Sequence, residues 1–137
     1  MTVKHIDHLN LSVVNFDETA DWYKRMFGFN VVETGTESGQ PWGVIRSGDA
    51  MLCIYQRPDW KRYDKDELGE QGLQRIAHFA FRITDREQWD ETLKREKPQL
   101  YYGGVNQYLH STSWYVRDPN GYSIEVACWE NDTPSFS

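Results

Sequence analysis

His5-Ile6-Asp7-His8-Leu9-Asn10-Leu11-Ser12-Val13 and Arg75-Ile76-Ala77-His78-Phe79-Ala80-Phe81-Arg82-Ile83 are two versions of one stretch, each with a histidine at the same point of an alternating run. In the first, Leu9, Leu11 and Val13 share a side opposite His8, Asn10 and Ser12. In the second, Ala77, Phe79, Phe81 and Ile83 oppose His78, Ala80 and Arg82. Strict alternation is the period of a half-buried strand, so both histidines are expected to point away from a core. Each version closes on a matching strand, Met51-Leu52-Cys53-Ile54-Tyr55 and Ser123-Ile124-Glu125-Val126-Ala127, at nearly the same interval. The chain therefore reads as one supersecondary module used twice.

Working outward from the repeats, Asp17 is expected to cap a helix over 18–27, where Phe16, Ala20, Tyr23 and Phe27 recur at helical spacing and Gly28 stops it. Strands at 29–33, 42–46 and 51–55 follow, with turns at 34–40 and 47–49. In the second module, Asp85 and Gln88 form a capping-box pattern for a helix over 86–97 that buries Trp89 and Leu93 and ends before Pro98. Strands are then expected at 100–102, 111–117 and 122–129, with Asp118-Pro119-Asn120-Gly121 as a turn. The fold class is α+β, two tandem βαβββ modules spanning about 4–56 and 74–130. They are joined by a charged connector over about 57–73, with a helical turn near 64–68.

At 137 residues the chain reads as a single domain over 1–137. A module of this size buries too little surface to be stable alone, so association between modules or between chains, as a homodimer, is expected. With 15 basic and 21 acidic residues the net charge is −6, which argues against nucleic acid or an anionic membrane as partner. Cys53 and Cys128 do not make a disulfide framework, no run is apolar enough to span a bilayer, and no signal-like segment opens the chain. The expected compartment is cytoplasmic.

Glu125 lies between Ile124 and Val126, where a carboxylate is costly to bury without a partner. If the modules pack as symmetry mates, their polar faces bring His8, His78 and Glu125 toward one point. Two imidazoles and one carboxylate, with coordination positions left open, suit one divalent metal ion: Fe, Mn, Zn or Ni. Cys53 takes the place of Glu125 in the first module, as a fourth ligand, a thiol lining the site or an apolar filler.

These residues also carry a family likeness. Asp7-His8-Leu9-Asn10-Leu11-Ser12-Val13, Ala77-His78-Phe79-Ala80-Phe81 and the run from Tyr115 through Asp118-Pro119-Asn120-Gly121 to Glu125 resemble the vicinal oxygen chelate superfamily. That superfamily contains glyoxalase I, fosfomycin-resistance thiol transferases, bleomycin-binding proteins and extradiol dioxygenases. The resemblance covers about 5–129 and is nearest in motif to the fosfomycin-resistance type. It implies eight strands forming a cup-shaped, mostly antiparallel sheet with helices outside, metal ligands at His8, His78 and Glu125, and a dimer. Departures narrow it: glyoxalase I has a second carboxylate where Cys53 stands, and the fosfomycin enzymes have a threonine where Asn10 stands.

The reading is thus a divalent-metal-dependent enzyme, a lyase, transferase or dioxygenase of this type, whose small-molecule substrate chelates the metal through adjacent oxygens. Tyr115 and Ser113 are the expected catalytic residues that orient substrate oxygens. Asn10, Cys53, His110 and Trp42 are the expected substrate-binding residues. The alternatives are a metal-free ligand-binding protein of the bleomycin-resistance type and an Fe(II) extradiol-type dioxygenase.

Overall fold

The computed structural model describes residues 1–62 and 64–136; Tyr63, in the connector, and Ser137 lie outside the described residues. The chain divides into two compact units, Met1–Arg62 and Tyr63–Ser137. Each carries its own four-stranded mixed sheet with the same internal order.

The first unit runs β1 (Leu9–Val13), α1 (Phe16–Phe27), β2 (Asn30–Glu37), β3 (Gln40–Ser47) and β4 (Ala50–Gln56), arranged β1-β4-β3-β2. β1 pairs parallel with β4 and the other pairs are antiparallel. Helix α1 starts earlier than its sequence suggests. Asn15, in extended conformation, accepts a hydrogen bond from Glu18 N, so the cap is Asn15, and Asp17 lies in the first turn where its charge complements the helix dipole. The helix buries Phe16, Thr19, Tyr23 and Met26 and ends on left-handed Gly28, whose N–H returns to Lys24 O. Beneath it lie Leu11, Val13, Ile45, Leu52 and Ile54, all buried, each contributing on the order of 1.5–3 kcal/mol by burial.

β2 also outlasts its expected end at Glu33. The turn assigned to 34–40 contracts to Ser38 and Gly39, with φ of 50° and 75°, and Glu37 stands opposite Gln40. Two successive positive φ values give the twist of a two-residue hairpin, which matches that of the strands it joins.

The second unit runs α2 (Lys65–Glu70), β5 (Phe79–Ile83), α3 (Arg86–Glu96), β6 (Asn106–Gln107), β7 (Ser111–Arg117) and β8 (Ser123–Trp129), arranged β5-β8-β7-β6. α2 is the helical turn expected in the connector, capped by Asp64. α3 begins where Asp85 Oδ1 accepts from Gln88 N, and Trp89 is buried with its ring edge-on to Trp114. Leu93, expected in the core, is only half-buried; Thr92 holds the buried position instead, its hydroxyl bonded back to Gln88 O. The strand expected at 100–102 does not form. Tyr102, Gly103 and Gly104 have φ of 57°, 81° and 101°, which no extended strand allows, and the strand that pairs with the outer side of β7 is instead the two-residue β6. The Asp118–Gly121 turn is as expected, with Asp118 Oδ1 accepting from Asn120 N and Tyr122 N.

The duplication extends to register. Leu9 pairs with Leu52 and Asn10 with Cys53 in the first unit; Phe79 pairs with Ile124 and Ala80 with Glu125 in the second. His8 and His78 each immediately precede the edge strand of their sheet.

Candidate functional site

Alternation along β7 and β8 decides which side chains of the second unit share a face. Trp114, Val116, Ile124 and Val126 turn to the core and are buried, which puts Ser113, Tyr115, Arg117 and Glu125 on the opposite side. Tyr115 stands directly across from Glu125, and Ser113 lies two residues from Tyr115.

Glu125, whose side chain is 18% exposed, has the partners its burial demands. Ser113 Oγ donates to Oε1 at 2.6 Å, and Oε2 lies 3.1 Å from His78 Nε2. The ring of His78 meets that of Tyr115 edge-on at 5.7 Å. The Tyr115 hydroxyl is 3.0 Å from that of Tyr108, and Tyr102 is edge-on to the Tyr115 ring at 5.0 Å. Burial, followed by the Tyr108 hydrogen bond and the charge of Glu125, raises the Tyr115 pKa far above the usual phenol value. At neutral pH Tyr115 is a neutral hydrogen-bond donor.

His8, Asn10, Cys53 and Trp42 belong to the first unit. His8 Nδ1 is 2.7 Å from Asp7 Oδ2, the kind of contact that orients an imidazole. The same hydrogen bond, with the charge of His8, lowers the Asp7 pKa. Asn10 is exposed across from Cys53, a free thiol whose pKa is pushed up by burial and by the charges of Asp7 and Glu33. Trp42 stacks on Tyr55 at 5.8 Å, nearly parallel. His110 precedes β7, where its carbonyl accepts from Glu130 N and ties the chain after β8 to the start of β7. The structure thus brings His78, Glu125, Ser113 and Tyr115 together within one unit. Among the described residues no three His, Cys, Asp or Glu side chains form a preset metal-binding cluster; the second unit supplies a pair.

The pair has the chemistry and the spacing of two ligands to one ion, the same spacing that a direct ion pair takes. Ligand atoms bound about 2.0–2.2 Å from one ion at tetrahedral to octahedral angles lie roughly 2.9–3.5 Å from each other, and His78 Nε2 and Glu125 Oε2 are 3.1 Å apart. Ser113 supplies the outer hydrogen bond that typically fixes a ligating carboxylate.

Sequence reasoning missed Tyr108 and Tyr102, which contact Tyr115. Both sit in loops, where no period marks the inward side. Asp7 was in view beside His8, and adjacency to a candidate ligand was the signal for its role.

The family model described as Glyoxalase/Bleomycin resistance protein/Dioxygenase superfamily matches residues 5–126. The chain belongs to this superfamily. Metallothiol transferase FosB of Shouchella clausii (strain KSM-K16) is 27% identical over 127 residues, covering 90% of this chain and 80% of that protein. Glyoxalase domain-containing protein RDO1 of Mycosarcoma maydis is 26% identical over 136 residues, covering 96% and 72%. A glyoxylase/bleomycin resistance protein/dioxygenase domain from Frankia sp. EAN1pec superposes with a TM-score of 0.77 over 96% of both chains at 12% identity, a likeness of fold. No helix among the described residues is long and apolar enough to cross a membrane.

Proposed function

We propose that this chain is a divalent-metal-dependent enzyme that binds a small substrate through adjacent oxygens, with His78, Glu125 and His8 as ligands. The observation that carries the reading is the 3.1 Å approach of His78 Nε2 to Glu125 Oε2, with the carboxylate held from behind by Ser113. His8 is taken as the third donor on the strength of its repeat-matched position; in the neutral ring, Nδ1 faces Asp7 and Nε2 is the nitrogen that would ligate. The relation to a protein named metallothiol transferase supports metal chemistry in this superfamily. When bound, the ion supplies Lewis acidity toward a substrate oxygen. Ser113 keeps the carboxylate of Glu125 oriented. Tyr115, held neutral by burial, donates a hydrogen bond to a substrate oxygen, and Tyr108 aims that hydroxyl. Asn10, Cys53, Trp42 and His110 are assigned to substrate contact, and the working form is a homodimer. Exposed Val3, Ile6, Leu73 and Ile76 support association, and sedimentation measures it.

The deciding experiment is calorimetric titration of the metal-stripped protein with Mn(II), Zn(II), Ni(II) and anaerobic Fe(II), alongside His8→Ala, His78→Ala and Glu125→Ala. One ion per chain is expected, with each variant weakened about tenfold or more. Wild-type protein that takes up no ion, or three variants that bind as it does, overturns the proposal. The second reading, metal-free ligand sequestration, draws on the parallel Trp42–Tyr55 stack and makes drug binding indifferent to metal.

A further inference from the structure

Lys65, in α2, is 7% exposed, and its ammonium donates to the Tyr102 hydroxyl. Its charge is balanced close by: Asp64, Asp66, Glu67 and Glu70 are neighbours in sequence, and Arg117, with Lys65 after it, holds the Asp66 carboxyl below the usual range. Charge balance therefore calls for no ligand. What needs a reason is the hydrogen bond itself, because a lysine is rarely buried this far without a specific partner.

That partner, Tyr102, is held in a conformation it resists. Its φ of 57° lies in the left-handed region, and Gly103 and Gly104 continue the turn. A backbone outlier of this kind persists only where its surroundings over-determine it. Here Tyr101 N donates to Tyr115 O at 3.0 Å, the Arg117 guanidinium lies 4.2 Å from the centre of the Tyr101 ring, and Lys65 holds the Tyr102 hydroxyl. Together they set the Tyr102 ring edge-on to that of Tyr115, 5.0 Å between centres and at 86°. His78 meets the same ring at 5.7 Å and 82°, and Tyr108 meets its hydroxyl at 3.0 Å.

We propose that Tyr102, anchored by Lys65, is a positioning residue that locks the ring plane of Tyr115 and so directs its hydroxyl at a substrate oxygen. A phenolic O–H lies in the plane of its ring, so the ring plane decides where the hydrogen points, and hydrogen bonds weaken steeply when misaligned. The Tyr108 bond fixes the position of the Tyr115 oxygen but leaves the ring free to turn about the axis through that oxygen. The edge of Tyr102 stops this rotation. Lys65 is buried because it stiffens Tyr102, and through it the connector helix reaches the candidate site.

The inference rests on the preceding reading only for the use made of the hydroxyl; the lock itself is measured on metal-free protein, so the two fail separately. Ring-flip rates of Tyr115 are read by NMR on tyrosine-labelled full chain, assigned through Tyr115→Phe. An edge contact is worth roughly a factor of two to ten, so Tyr102→Gly is expected to speed the flips about fivefold or more. Glycine takes a φ of 57° freely, so relief of strain offsets the lost contact and the urea midpoint stays near that of wild type. Tyr102→Phe and Lys65→Met remove the same hydrogen bond; each is expected to give a smaller increase, and the double variant no more than either alone. Circular dichroism verifies each fold. Metal-loaded protein is then titrated with acetohydroxamate, which chelates through adjacent oxygens, and Tyr102→Gly is expected to weaken it about fivefold while leaving metal affinity unchanged. Unchanged flip rates in Tyr102→Gly, or faster flips with unchanged hydroxamate affinity, overturn the proposal. Wild-type protein that takes up metal but no hydroxamate overturns the use of the hydroxyl, and wild-type protein that takes up no metal overturns the preceding reading with it.

Discussion

Ser113→Ala removes one buried hydroxyl from behind the Glu125 carboxylate. Ser113 is fully buried, and its Oγ donates to Glu125 Oε1 at 2.6 Å, a short bond to a charged acceptor. Without it, a carboxylate only 18% exposed keeps His78 at 3.1 Å and the Tyr115 hydroxyl as its neighbours, with Oε1 losing its short bond. Leaving one buried oxygen of a charged group unsatisfied costs about 1–3 kcal/mol, and the void left by an oxygen atom is too small to offset that by hydration. The metal-free variant is therefore expected to unfold in urea at a lower midpoint with an unchanged slope. Metal binding carries a second, independent consequence. An unsupported carboxylate is a looser ligand, and loss of an outer-shell hydrogen bond weakens affinity about 10–100-fold. Circular dichroism in urea and calorimetric metal titration measure the two effects on the same preparation. Unchanged stability together with unchanged metal affinity refutes the assignment of Ser113 as the support of Glu125.

Three further expectations follow from particular contacts. Gly35→Ala places a Cβ 2.6 Å from the Trp42 indole, so Trp42 must leave its stack on Tyr55; a loss of about 1–3 kcal/mol and altered tryptophan fluorescence are expected. Asn15→Ala deletes the acceptor for Glu18 N and costs about 1 kcal/mol of stability in urea unfolding. Arg117 beside Asp66 holds its carboxyl below the usual range, so their attraction stabilises the fold above the ordinary carboxylate pKa and fades as pH falls through the lowered value. Asp66→Asn is accordingly expected to be less stable than wild type at neutral pH and to converge with it in acid, as read from parallel pH series of thermal unfolding.

The alternation around His8 and His78 made the fold legible, because a strand with one inward face leaves a period-two record, and that record appears twice, although Phe79, Phe81 and Ile83 are only half-buried and Ala77 is exposed. Glu125 was legible for the opposite reason: a carboxylate between Ile124 and Val126 contradicts its surroundings and requires a partner. Its partner Ser113 lies two residues from Tyr115 on β7, so alternation alone puts both on the face of Glu125. Errors gathered where local chemistry has no period. Asn15 and Asp17 are both plausible caps, and only the backbone geometry selects between them. The stretch 100–102 has strand-like composition, yet Gly103 and Gly104 favour the left-handed turn that Tyr102 joins. Lys65 and Tyr102 meet across 37 positions, in a connector that reads as a solvated charge run, and no pattern in either segment announces the other.

The most direct test is element-specific anomalous scattering from crystals grown with the metal bound in calorimetry. The expected result is one ion within about 2.0–2.2 Å of His78 Nε2 and a Glu125 carboxylate oxygen, with the His8 imidazole completing the protein ligands. An ion bound elsewhere, or its absence from bonding reach of His78 and Glu125, contradicts the account.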